Sequence, residues 1–168
     1  MKKGSILFGL SIISILLCIG IGAGRKKAEA EIRHLEERFA AALKAKDLNG
    51  IMSVYVPDES LVVFDVLPPR QYVGAKAYRE DWQGFFAMAQ GPIEFELKDL
   101  SITADGKVAF SRSIQHVAFT GKDGKKVEFT ARVTDGYRKT KGQWLIVHEH
   151  VSVPVDLATG QADFASKP

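Results

Sequence analysis

Thr130 to Pro154 is the stretch that constrains the chain most, because it reads as two strands folded back on one tight turn. Beginning just before it, Val127, Phe129, Ala131, Val133, Asp135 and Tyr137 alternate with Glu128, Thr130, Arg132, Thr134 and Arg138. A period of two with one apolar side is a strand resting on a core. Thr140-Lys141-Gly142-Gln143 supplies the glycine and polar residues of a hairpin connection. Trp144 to Ser152 is rich in β-branched and aromatic residues, which places it near the centre of a sheet. Such a sheet needs helices over its apolar face, and the N-terminal half of the chain predicts three.

Ala28 to Lys46 is amphipathic, with Ile32, Leu35, Phe39, Ala42 and Leu43 at helical spacing and Glu31, Arg33, Glu36, Glu37 and Arg38 on the other side. Asp47 can cap a short second helix carrying Leu48, Ile51, Met52 and Tyr55, which Pro57 stops. Leu61 to Phe64 predicts a short strand closed by Asp65, and Tyr72-Val73-Gly74 offers another beyond the Leu67-Pro68-Pro69-Arg70 loop. From Ala75 to about Ala89 a third helix sets Tyr78, Trp82, Phe85 and Ala89 on one stripe. Gly91-Pro92 then breaks the chain. Residues 93–103, 107–120, 125–139 and 143–153 predict four long strands joined by Asp105-Gly106, Asp123-Gly124 and Lys141-Gly142. The expectation is an α+β domain, an antiparallel meander curved so that the three N-terminal helices fill its concave side. Residues 156–168 are polar and predict a frayed, flexible tail.

Residues 1–27 stand apart. Lys2 and Lys3 precede an apolar run from Ile6 to Ile21, with Gly22, Ala23 and Gly24 after it, the pattern of a bacterial export signal. Cleavage after Gly24, or after Ala30 in the small-x-small sequence Ala28-Glu29-Ala30, would yield an exported domain, periplasmic or secreted. Arg25-Lys26-Lys27 also fits a retained inner-membrane anchor over residues 6–24, since roughly 18 apolar residues begin to span a bilayer. Leu17 before Cys18 is not the small residue that lipoprotein processing requires. Of the net charge of +3, Lys2 and Lys3 contribute +2 and Arg25, Lys26, Lys27 and Glu29 together another +2, so a domain starting after Ala30 carries −1. That balance excludes a basic nucleic-acid surface. Cys18 is the one cysteine, so the mature domain would hold no disulfide, thiolate ligand or cysteine nucleophile. An apolar fraction of 46% is enough for an independent core over residues 28–155.

The order of helices, short strand, glycine-containing loop, aromatic helix and meander resembles the SnoaL-like branch of the nuclear transport factor 2-like superfamily. The final strand, Gly142-Gln143-Trp144-Leu145-Ile146-Val147-His148-Glu149-His150-Val151-Ser152-Val153-Pro154, carries that resemblance furthest. It implies a cone-shaped fold with a small-molecule pocket, shared by isomerases, cyclases, dehydratases, ligand carriers and oligomerisation modules, so function has to come from the site. By comparison with ketosteroid isomerases of the superfamily, Asp65, followed by Pro68-Pro69 and Gly74, matches the general base. Asp135, within about one residue, matches an acid known to be kept protonated by an apolar site. The tyrosine that completes that oxyanion hole falls on Phe39, which has no hydroxyl. The resemblance therefore does not imply a faithful ketosteroid isomerase, since such a donor is worth about 3 kcal/mol.

Read for themselves, the residues carry the same candidates. Asp65 closes the apolar strand Leu61-Val62-Val63-Phe64, where a carboxyl is raised toward a useful proton-transfer range, or else it is a turn aspartate bonding its own backbone. Asp135 shares a face with Phe129, Ala131 and Val133, so it is protonated, paired or in a wet pocket, unless Asp135-Gly136 marks a bulge. Glu149 alternates with Leu145, Val147 and Val151 and points a third carboxyl inward, leaving His148 and His150 on the outer face with Trp144, Ile146 and Ser152. Those two histidines with His116 could form a metal set, but no acid shares their face, which favours a structural or interface role. Tyr55, Tyr72, Trp82 and Phe86 are candidates for the pocket mouth or for plain core packing, and Arg132 for a surface or interface ion pair.

These readings make Asp65 a candidate base, Asp135 a candidate acid, and Phe39, Tyr55, Tyr72, Trp82, Phe86 and Glu149 candidate pocket residues, with no metal and no cofactor. The expected ligand is a small apolar carbonyl or aromatic compound, turned over by acid–base chemistry of an isomerase, cyclase or dehydratase type. The alternative is a non-catalytic oligomerisation or carrier module. The expected partner is a second copy across the outer sheet face, with membrane contact through the N-terminal segment alone.

Overall fold

The computed structural model describes residues 9–165, with side chains from residue 22 onward. The export-signal or anchor reading of residues 1–27 therefore lies in part outside the described residues. Among those described, no helix is long and apolar enough to cross a membrane.

A long helix α1 (Gly9–Ala45) is followed by α2 (Leu48–Met52), β1 (Val62–Phe64), β2 (Tyr72–Val73), α3 (Ala75–Met88), β3 (Gln90–Asp105), β4 (Val108–Thr120), β5 (Lys126–Thr140) and β6 (Gln143–Ser152). The strands form one sheet in the order β2-β1-β6-β5-β4-β3. β3 to β6 is the antiparallel meander the sequence predicts, and β1 adds to β6 in parallel. The helices and the concave face share one core that runs from Ile32, Leu35 and Leu43 to Tyr137, Trp144 and Ile146.

Helix α1 becomes part of the core at Ala28, where burial begins, and carries Ile32, Leu35, Phe39, Ala42 and Leu43 into it. Glu36 corrects the sequence reading. It lies one turn beyond Ile32, on the buried stripe rather than the polar side, and is 2% exposed. Asp47 caps α2 as expected, accepting from the backbone N–H groups of Asn49 and Gly50. Lys46 turns with positive φ and its Nζ donates to the carbonyl of Ala89 at 2.6 Å, tying the end of α1 to the end of α3.

Three irregularities bend the sheet. Gly91-Pro92 does not end the preceding element but sits inside β3, where the ladder to β4 slips between Gln90 and Glu94, and a second slip follows between Lys98 and Ser101. The third decides the site. Gly136 pairs with His148 but Tyr137 pairs with Ile146, so β6 carries one extra residue, Val147, at that point. The side-chain phase of β6 reverses across it. Trp144 and Ile146, which simple alternation assigns to the outer face, are 4% and 1% exposed, and Glu149 on the other side of the bulge is 5% exposed.

The tail also departs from its polar composition. Val155 bridges to Ala162 and the carbonyl of Phe164 accepts from the N–H of Thr130 at 2.9 Å. β6 ends opposite Arg132, which leaves the first half of β5 without a ladder partner on that side, and the tail takes up part of that edge.

Deleting Val147 would force β6 to expose either Trp144 and Ile146 or Glu149 and Val151. The expected loss is about 3 kcal/mol or more, from the apolar burial given up, measured as a fall in the urea midpoint.

Candidate functional site

The bulge at Val147 turns Glu149 into the core, where it meets hydroxyls from two other elements. Tyr55, just past α2, donates to Glu149 Oε2 at 2.7 Å, and Tyr78 of α3 donates to Oε1 at 2.5 Å. Tyr55 is placed by the backbone, since Val56 N–H and Val54 C=O both bond to Ile146. Tyr78 is placed by the stripe of α3 that also carries Trp82 and Phe85, with Tyr55 and Tyr78 edge to face at 5.2 Å.

Asp135 stands directly opposite Glu149 in the β5–β6 ladder and is 2% exposed. Ser111 Oγ lies 3.3 Å from its Oδ2 and 2.8 Å from Tyr137 Oη, and Tyr137 donates to Glu36 Oε1 at 2.7 Å. Glu36, Tyr137, Ser111 and Asp135 are thus one buried hydrogen-bonded group and Glu149, Tyr55 and Tyr78 a second, set side by side by the Asp135–Glu149 ladder pair, and among the described residues no basic side chain bonds to any of the three carboxyls. Burial without a cation makes protonation the cheaper state. Burial pushes the Glu149 carboxyl up to about 7, against the two tyrosine hydroxyls that favour its ionised form. Asp135 is raised well above the carboxylate range, by burial first and then by the charges of Glu149 and Glu36. Glu36 is raised by burial as well. Asp135 Oδ1 has no hydrogen-bond partner, which fits a buried carboxyl that carries a proton rather than a charge.

Glu149 opens onto a cavity of about 570 Å³. Phe39, Trp82, Phe95 and Phe119 form much of its wall, and Asp65 and Tyr78 share the surface with Glu149. β1 pairs Val63 with Glu149, so Asp65, two residues on, projects from the same face. Asp65 Oδ1 accepts from the N–H groups of Val66 and Leu67 at 2.5 and 3.4 Å, so the turn geometry and the pocket position hold together. Burial raises its carboxyl, with the nearby Asp81 adding to the shift and those N–H groups opposing it.

Of the candidates from sequence, Asp65, Phe39, Trp82 and Glu149 line the cavity. Asp135 and Tyr55 lie behind Glu149 instead. Tyr72 donates to Asp81 at 2.6 Å, and Phe86 packs on Trp82 and Phe85 without joining the wall. Tyr78, Glu36, Ser111 and Tyr137 are the residues that sequence reasoning did not place in the site. The i,i+4 relation of Glu36 to Ile32 and the position of Tyr78 on the aromatic stripe were the available signals. On the outer face, His148 Nδ1 lies 2.8 Å from the carbonyl of Val62 and His116 Nδ1 lies 3.1 Å from Thr130 Oγ1. Among the described residues no group of three His, Cys, Asp or Glu side chains could hold a metal ion.

A six-stranded sheet packed on N-terminal helices places the chain in the nuclear transport factor 2-like class of α+β folds. Residues 32–156 match the SnoaL-like domain, and the chain belongs to that family. It is similar to an NTF2-like protein of unknown function from Pseudomonas putida KT2440, at 36% identity and a TM-score of 0.77 over 85% of this chain and 98% of that one. An NTF2-like superfamily protein from Salmonella enterica serovar Typhimurium LT2 is 18% identical, with a TM-score of 0.71 over 82% of this chain and 99% of that one. A candidate dehydratase of the NTF2-like family from Streptomyces avermitilis is 16% identical, with a TM-score of 0.68 over 76% and 97%. The last two likenesses show the fold. The search of curated proteins found no match.

The raised carboxyls fix the sign of a pH effect. A folded-state pKa above the unfolded value supplies stability that is complete below the unfolded pKa and lost as pH rises through the folded one. For Glu149 that window runs from 4.5 to about 7, and Asp135, Glu36 and Asp65 act in the same direction. Unfolding free energy should fall between about pH 5 and about pH 8 by on the order of 1–3 kcal/mol. Urea titrations of Glu149→Gln, which cannot ionise, should show a flatter slope.

Proposed function

We propose that the cavity binds a small apolar ligand with an aromatic or carbonyl group and moves protons on it, with Asp65 as base and Glu149 as the cavity-facing acid. The observation that carries this reading is Glu149, held between two tyrosine hydroxyls at the aromatic cavity with a pKa of about 7, where a carboxyl can both give and accept a proton at neutral pH. Asp135 has a different part from the one its sequence position implies. It lies behind Glu149, so it positions that carboxyl and holds a proton beside it rather than touching a ligand. Isomerisation, cyclisation and dehydration can each run by proton transfer through such a pair. The fold relationship to a candidate dehydratase is consistent with that range.

The same chain supports a second reading, as a non-catalytic carrier or assembly module. Phe39 offers no hydroxyl to the cavity, and Phe64, Val108 and Phe110 are 37%, 62% and 51% exposed. Phe64 lies between His148 and His150 with ring centroids at 4.9 and 5.7 Å. A second copy packed on the outer sheet face would cover such residues, and Phe110→Glu would then shift the sedimentation coefficient to that of a monomer. Export of the domain, or its retention by residues 6–24, is part of the same proposal and is read from the mass of the mature chain.

The central test is a screen of enolisable ketones and lactones for turnover, with carbon-13 titration of the Glu149 and Asp65 carboxyls. Glu149 should titrate near 7 and Asp65 above the ordinary aspartate range. Asp65→Asn and Glu149→Gln should each lower kcat by roughly 10²–10⁴-fold. Turnover that survives both substitutions would remove the acid–base assignment.

A further inference from the structure

The charged residues around the cavity are all of one sign. Asp65, Glu80, Asp81, Glu128 and Glu149 line it, and among the described lining residues there is no lysine, arginine or histidine. Three of these acids are provided for or lie at the rim. Glu128 pairs with Lys126, Asp81 accepts from Tyr72, and Glu80 is exposed. Asp65 and Glu149 also accept hydrogen bonds, but they differ in facing one aromatic space from the same side, Asp65 just past the end of β1 and offset from Glu149 on β6 by about 7 Å along the strands. The charge of Asp65 raises the Glu149 carboxyl, and among the described lining residues no cation lies between them.

The walls around that pair are built from ring systems. Trp82 lies 5.8 Å from Phe39, 5.8 Å from Tyr78 and 5.7 Å from Phe85, centroid to centroid, and all four rings line the cavity. Trp82 Nε1 is buried and has no acceptor. Ring faces attract a positive charge and do so most strongly where water is excluded. An anion in this space would meet two like charges, and a neutral ligand would leave both acids to be neutralised by protons. A cation supplies the counter-charge that the described lining residues do not.

We propose that this cavity selects an apolar organic cation, an amine or quaternary ammonium on an aromatic-sized frame. Its nitrogen sits between Asp65 and Glu149 against the rings of Trp82, Phe39 and Phe85, and an acceptor atom elsewhere on the frame takes the Trp82 N–H. The inference rests on the reading of the cavity as a ligand site and narrows the class of ligand. It carries a linked consequence. A bound cation favours ionised Glu149, so binding near neutral pH releases a proton, with Tyr55, Tyr78 and Asp135 adjoining Glu149 and Asp81 adjoining Asp65 as the other groups that feel the change.

The test is calorimetric titration of the full chain with three probes of one shape: benzyltrimethylammonium, its uncharged carbon isostere neopentylbenzene, and the anion phenylmethanesulfonate. At about pH 8 the cation should bind at least tenfold tighter than the isostere, and the anion should not bind. The tenfold advantage should shrink at about pH 5, where the Glu149 carboxyl is protonated. It should vanish in the Asp65→Asn, Glu149→Gln double variant, whose continued binding of the isostere reports an intact pocket. Equal or tighter binding of the isostere at pH 8 overturns the cation assignment and leaves the pocket in place. No binding of any probe overturns both.

Discussion

Between Gly136 and Tyr137 the ladder joining β5 to β6 takes in one extra residue, Val147, and the rest of the molecule is arranged around that insertion. On one side of it Trp144 and Ile146 complete the core beneath α1, and on the other Glu149 is brought inward opposite Asp135. A strand with regular alternation could do one or the other. Because it does both, the same strand closes the apolar core and carries an acid to the cavity.

Burial of three carboxyls without a bonded base is costly, and the structure offsets the cost with protons and hydroxyls rather than with ion pairs. Tyr55, Tyr78, Tyr137 and Ser111 supply the hydrogen bonds, and burial shifts all three acids toward their protonated forms. By contrast, the pairing of Glu31 with Lys139 and the Trp144 N–H, at 2.6 and 3.0 Å, lies nearer the surface and lowers the Glu31 carboxyl. The two arrangements show opposite solutions within one domain.

Much of the fold was legible in the sequence because it is written in local patterns. Apolar spacing in α1 and α3, the Asp47 cap, and glycine turns between alternating strands each follow from short-range chemistry. The family resemblance carried Asp65 and the general region of Asp135. The rest depended on tertiary facts that no window of residues contains. Val147 has nothing about it that marks a bulge, and without the bulge Trp144 and Ile146 count as outer-face residues. Glu36 has the charge of a surface residue, although its spacing from Ile32 is that of a core position. The polar tail gave no sign that β5 would have an open edge for it to meet.

The position of that tail changes what counts as the domain. The family match ends at residue 156, yet Phe164 lines the cavity and stacks edge-on with Phe129 at 6.5 Å. A chain ended at residue 156 would keep every strand and helix and still lose part of the cavity wall. Boundaries drawn from shared sequence mark where the ancestry is visible, while the container needs eight residues more to bring in Phe164.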